Sequence, residues 1–155
     1  MPRHKKIQKK ILEPDPLYKS RVVSRFINRI MLSGKKSTAE GIVYFVLGKI
    51  GEDKKEALKV FEDAVRNVMP KMEVRSRRVG GATYQIPTPL KHDRSEALAI
   101  RWIIEICRKR KGKPMGDKLY EEIVAASKNQ GEAIKKREDT HKMADANRAF
   151  AHFKW

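Results

Sequence analysis

The chain predicts a mainly α fold: a bundle of about six helices with a protruding two-stranded β-hairpin arm and a basic N-terminal tail. Three observations carry this. Apolar residues return at three- and four-residue spacing through most of the 155 residues. The spacing falls to two in one stretch, 72–90, which holds Gly80-Gly81. The first residues show no apolar period at all. The length fits a single domain over 1–155, and a hydrophobic content of 40% supplies a real core.

The elements follow in order. Residues 1–18 hold Pro2, Pro14 and Pro16 and read as an extended basic arm. From Ser20 the pattern is helical: Val22, Val23, Phe26, Ile27, Ile30 and Met31 recur beside a stripe of Arg21, Arg25 and Arg29, and Gly34 reads as the stop. Ser37 or Thr38 is the expected cap of a second helix, buried through Ile42, Val43, Val46, Leu47 and Ile50 and ended by Gly51. A third helix has Ala57, Leu58, Phe61, Ala64, Val65 and Val68 in register and Pro70 as its stop.

Met72, Val74 and Ser76 then alternate with Glu73, Arg75 and Arg77. Gly80-Gly81 supplies the positive φ of a tight turn, Tyr84 and Ile86 lie in a second strand, and Pro87 and Pro89 are expected to end it. A lone hairpin is barely stable, so it must lean on the helices or on a partner. Ser95 is the expected cap of a broad apolar helix through Leu98, Ala99, Trp102, Ile103 and Ile106, joined by Ile100, Ile104 and Cys107. Pro114 suits the first turn of a fifth helix, with Leu119, Tyr120, Ile123 and Val124, ending near Asn129 and Gly131. The segment 132–155 reads as a polar helix to about Ala149, followed by a tail with Phe150, Phe153 and Trp155.

The charge is +17, from 36 Lys+Arg against 19 Asp+Glu, and it is clustered. Arg3, Lys5, Lys6, Lys9 and Lys10 precede the first acid, Glu13. Arg75, Arg77 and Arg78 flank the Gly-Gly turn, Arg108 to Lys113 form a third block, and Lys135-Lys136-Arg137 a fourth. Like charges this close repel unless a polyanion neutralises them, and a nucleic-acid backbone is the polyanion that suits clustered Arg and Lys. A membrane surface would want the cations beside exposed Trp, Phe and Leu on one amphipathic helix, so no membrane partner is expected. No apolar run follows the basic N-terminus as in a signal peptide, and none is long enough to cross a bilayer.

Spacing argues against nucleotide and metal motifs. Gly34-Lys35-Lys36-Ser37 lacks the upstream glycine and strand of a phosphate loop. Arg78-Val79-Gly80-Gly81 lacks the spacing of a dinucleotide fingerprint. His4, His92, His141 and His152 are scattered, and Cys107 is the only cysteine, so no metal or cofactor is expected. His92-Asp93 has no nucleophile beside it, and Cys107 reads as a small core residue. An enzyme is therefore not expected, nor a small-molecule substrate. A helical DNA-binding protein remains an alternative, although neither a recognition helix nor a dimer face is evident.

The segment from Lys135 to Trp155, KKREDTHKMADANRAFAHFKW, closely resembles the C-terminus of the bacterial small-subunit ribosomal protein seven family. Gly34 to Glu40, Val74 to Gln85 and Ala97 to Trp102 resemble other motifs of that family, in order and at its spacing. The resemblance implies a helical bundle with a hairpin, and a primary binder of small-subunit ribosomal RNA in the cytoplasmic ribosome. It implies docking on a junction of the 3′ major domain and nucleation of the head. It further implies a place near exit-site tRNA and the messenger path, beside small-subunit ribosomal protein eleven, with translational repression outside the ribosome as a further possibility. On this reading Arg3, Lys5, Lys6, Lys9, Lys10, Arg25, Arg29, Lys35, Lys36, Arg75, Arg77, Arg78, Arg101, Arg108 and Lys109 contact ribosomal RNA. Gly80, Gly81, Tyr84, Lys142, Arg148, Phe150, Phe153 and Trp155 form the side toward the exit site, the messenger or a protein partner.

Overall fold

Apolar spacing settles into six helices, α1 (Arg21–Ile30), α2 (Lys36–Ile50), α3 (Lys54–Val68), α4 (His92–Lys109), α5 (Met115–Ser127) and α6 (Glu132–Ala146), in a computed structural model that describes residues 12–153. An antiparallel hairpin of β1 (Met72–Val79) and β2 (Ala82–Pro89) lies between α3 and α4, and a 3-10 helix (Arg148–Phe153) follows α6. The predicted class and the order of elements hold.

The core forms where the apolar stripes meet. Phe26 of α1 stands edge-on to Phe61 of α3, ring centroids 5.1 Å apart at 87°, a favoured aromatic arrangement. Leu47, Ile103, Ile104, Leu119 and Ile123 close around them, all fully buried. Helix α4 packs on α1, α3, α5 and α6, which explains its wide apolar face. Cys107 on that face is buried, as expected of a small core residue.

Several boundaries differ from the sequence expectation. Helix α1 ends at Ile30, before Gly34. Neither Ser37 nor Thr38 caps α2; Lys35 holds the cap position without a side-chain bond. The turn before it is closed by its own backbone, Lys35 N–H to Leu32 O at 3.0 Å, with Gly34 at φ 72°. Helix α4 starts at His92, and Ser95 donates its hydroxyl to the Pro70 carbonyl at 2.7 Å, pinning α4 to the start of the hairpin. Pro87 and Pro89 lie within β2, opposite Val74 and Met72. A two-stranded ribbon has an open edge on each strand, so a residue without N–H is tolerated there. Helix α6 stops at Ala146, where Asn147 turns its amide onto the Met143 carbonyl at 2.8 Å and competes with the helical bond.

The stretch read as arm over 1–18 is a docked turn where it is described. Asp15, nearly fully buried, accepts from the amides of Leu17 and Tyr18 at 3.0 Å each and from the Tyr44 hydroxyl at 2.8 Å. Arg3, Lys5, Lys6, Lys9, Lys10 and Trp155 lie outside the described residues.

Candidate nucleic-acid interface

The hairpin turn is built by its glycines. Gly80 and Gly81 have φ of 57° and 91°, the two positive values that a two-residue loop matched to strand twist requires. In the resulting register Arg77 faces Tyr84, Arg75 faces Ile86 and Glu73 faces Thr88, so these six share one side of the ribbon. Toward its lower end two of them are buried: Ile86 is wholly inside, and Glu73 is 8% exposed.

Glu73 anchors the arm. Arg94 of α4 donates its Nε to both carboxylate oxygens, at 3.0 and 3.1 Å, and Arg75 donates to one of them at 2.5 Å. Burial works to raise the Glu73 carboxyl, but the two arginines outweigh it and hold it below the usual carboxylate range. Arg75 is thereby partly occupied, while Arg78 near the tip is exposed and no acid pairs with it among the described residues.

Tyr84 meets the 3-10 helix, its ring centroid 5.3 Å from both Phe150 and Phe153. Gly80, Gly81, Tyr84, Arg148, Phe150 and Phe153 thus belong to one assembly of hairpin and C-terminal turn. His141 of α6 accepts the Lys71 amide proton at its Nε2, 3.0 Å away, at the foot of the hairpin. Lys142 is exposed on the same helix.

A second basic region gathers where α1 and α4 end. Arg108 donates to the Ile30 carbonyl at 2.9 Å, placing a cation at the negative end of the α1 dipole. Arg29, Lys35 and Lys109 are exposed there, and Lys36 is exposed with Glu40 at 3.5 Å, a weak surface pair. Arg101 is exposed on α4. Arg25 is spent differently: it lies 2.7 Å from Glu96 and 3.9 Å from Asp93, tying α1 to the start of α4.

Two ion pairs are not legible in the sequence. Arg94 and Glu73 form the anchor of the arm, and the signal available was a single acid among alternating arginines. Arg110 pairs with the buried Glu122, whose Oε1 accepts the Ala133 amide at 2.8 Å, so a cation of the third basic block serves the core instead of a ligand. Among the described residues no group of three or more His, Cys, Asp or Glu could hold a metal ion, and no helix is long and apolar enough to cross a membrane.

A family model described as ribosomal protein S7p/S5e matches residues 2–148. The chain is 54% identical to the small ribosomal subunit protein uS7 of Syntrophotalea carbinolica over 156 residues, covering all of both chains. It is 52% identical to that of Acidithiobacillus ferrooxidans and 53% to that of Pelotomaculum thermopropionicum, again over the full length of each.

Proposed function

The chain belongs to the ribosomal protein S7p/S5e family, and from that premise we propose that it is a structural, non-enzymatic constituent of the small ribosomal subunit in the cytoplasm that docks on the 3′ major domain of its RNA. In this reading it binds early at a multi-helix junction and nucleates the head. The observation that carries the RNA contact is the set of exposed cations at two separated places, the hairpin tip with Arg78 and the joint end of α1 and α4 with Arg29, Lys35 and Lys109. The foot of the hairpin is tied to α4 through Glu73 and Arg94, so both places are built on the same bundle. A-form RNA hides the base edges of its major groove, so a junction is read by phosphate, 2′-hydroxyl and shape. A rigid pair of basic patches suits that task.

The roles fall out by position. Arg29, Lys35, Lys36, Arg101, Arg108 and Lys109 take ribosomal RNA from the bundle, and Arg75, Arg77 and Arg78 from the arm. Arg3, Lys5, Lys6, Lys9 and Lys10 extend the footprint from the N-terminus. The hairpin tip, with Lys142, Arg148 and the aromatic pair Phe150 and Phe153, faces exit-site tRNA, the messenger path and small-subunit ribosomal protein eleven.

Chemical footprinting on purified small-subunit RNA tests this. The expected result is protection of one discrete junction in the 3′ major domain, with no strand cleavage and little preference for duplex DNA. Diffuse protection, or equal affinity for duplex DNA, overturns the reading.

A further inference from the structure

We propose that the 3-10 helix Arg148–Phe153 is a strut that sets the direction of the hairpin arm, acting through Tyr84. The proposal rests on the reading of the hairpin as an RNA-contacting arm and adds what aims it.

The foot of the arm is fixed several times over. Glu73 is held by Arg94, Ile86 is buried, Ser95 holds the Pro70 carbonyl and His141 holds the Lys71 amide. Above Ile86 the strands continue through Gln85, Tyr84 and Thr83 to the Gly-Gly turn. Two antiparallel strands alone resist bending and twisting poorly. At the level of Tyr84 the arm meets Phe150 and Phe153, each centred 5.3 Å from its ring.

The strut is itself held by α6. Asn147 spans the joint: its side chain bonds the Met143 carbonyl at 2.8 Å, and its own carbonyl accepts the Phe150 amide at 3.0 Å. Helix α6 therefore touches the arm at two heights, through His141 at the foot and through the 3-10 helix at Tyr84. A ribbon supported at two heights keeps one direction.

The contact is apolar on both sides. Removing it leaves Arg77, Arg78 and Arg148 in the chain, so a loss of aim is separable from a loss of charge. If the arm without its strut holds the binding direction about a tenth of the time, apparent affinity falls about tenfold. The salt dependence stays as it was, because the number of phosphates neutralised in the complex is unchanged.

The test uses spin labels at Ser37→Cys and Thr83→Cys, both exposed positions. Native Cys107 stays unlabelled, being buried with its thiol pushed up to about 12. Distances are read in the free protein, and affinity for the small-subunit RNA junction is read on unlabelled chains. Phe150→Ala with Phe153→Ala is expected to broaden the distance distribution, weaken binding about tenfold and leave the salt slope unchanged. Phe150→Leu with Phe153→Leu keeps apolar packing without ring faces and is expected to restore both readouts. Tyr84→Ala, made from the side of the arm, is expected to broaden the distribution as the alanine pair does. A narrow distribution in the alanine pair overturns the proposal. So does a leucine pair that stays narrow yet loses affinity, since the rings would then act on RNA bases directly. A wild-type chain that fails to protect the junction overturns the RNA reading instead, and the distances in free protein are read independently of it.

Discussion

His141 accepts the Lys71 amide proton at Nε2, which only the neutral ring with its proton on Nδ1 can do. Burial lowers its pKa first, then the charges of Arg137 and Lys71, against Asp145 and Glu138, which raise it. A folded pKa below the unfolded one gives stability that is whole above the usual imidazole value of about 6.5 and is lost as pH falls through the folded value. Thermal melts of the free protein are therefore expected to fall as pH drops below about 6.5. His141→Gln, an acceptor that does not titrate, is expected to flatten that window, and an unchanged pH profile would refute the assignment. Glu73 has the same sign at lower pH: its contribution is whole above the ordinary carboxylate range and is lost as pH falls through its lowered folded value. Glu73→Ala leaves Arg94 and Arg75 facing each other without the carboxylate. With both arginines half exposed, the expected cost is roughly 1–3 kcal/mol in denaturant titration, below that of a fully buried pair.

At the scale of elements, the turn between α5 and α6 carries the sharpest constraint. Gly131 has φ 99°, and a Cβ there would lie 2.9 Å from Glu122 Oε1, the atom that accepts the Ala133 amide in the first turn of α6. Gly131→Ala meets both a left-handed backbone and the buried carboxylate, so destabilisation of about 1–3 kcal/mol is expected by thermal or denaturant unfolding. Gly80→Val meets the first constraint alone, with open space around its Cβ. It is expected to cost less stability than a core substitution while disturbing the tip and weakening RNA binding. The helices themselves were legible because a 3.6-residue apolar period is written over ten or more positions, as in α3 and α4. Caps were not, because Ser37, Thr38 and Ser95 have hydroxyls suited to capping but the starts were set by neighbouring turns and by a distant carbonyl, that of Pro70. The prolines of β2 misled for a related reason: their cost depends on whether a neighbouring strand needs their N–H, which is a property of the sheet. In the site, the basic blocks were visible as sequence. Which cations are already occupied was not, since Arg25 meets Glu96 from 71 positions away and Arg94 meets Glu73 from 21.

Over the whole molecule, that division between occupied and available cations decides how RNA binding answers salt. The net charge of +17 counts every cation alike. A salt titration counts only those whose binding releases counterions from phosphate. If the arm, the Lys35 turn and the N-terminal cluster neutralise about six to ten phosphates, log affinity is expected to fall against log salt with a slope of roughly −4 to −9. Single substitutions then separate the two kinds of cation. Arg78→Ala and Lys35→Ala remove exposed charges without an acid partner among the described residues, so each is expected to shrink the slope by about 0.7–0.9 with little change in melting temperature. Arg25→Ala removes the partner of the buried Glu96, whose side chain is 6% exposed. It is expected to lower the melting temperature of the free protein and leave the slope nearly unchanged, because that half-exposed charge is already paired with the buried Glu96 carboxylate. Equal slope changes at Arg25 and Arg78 would mean that ion pairs within the bundle open on RNA, and the rigid two-patch geometry would have to be abandoned.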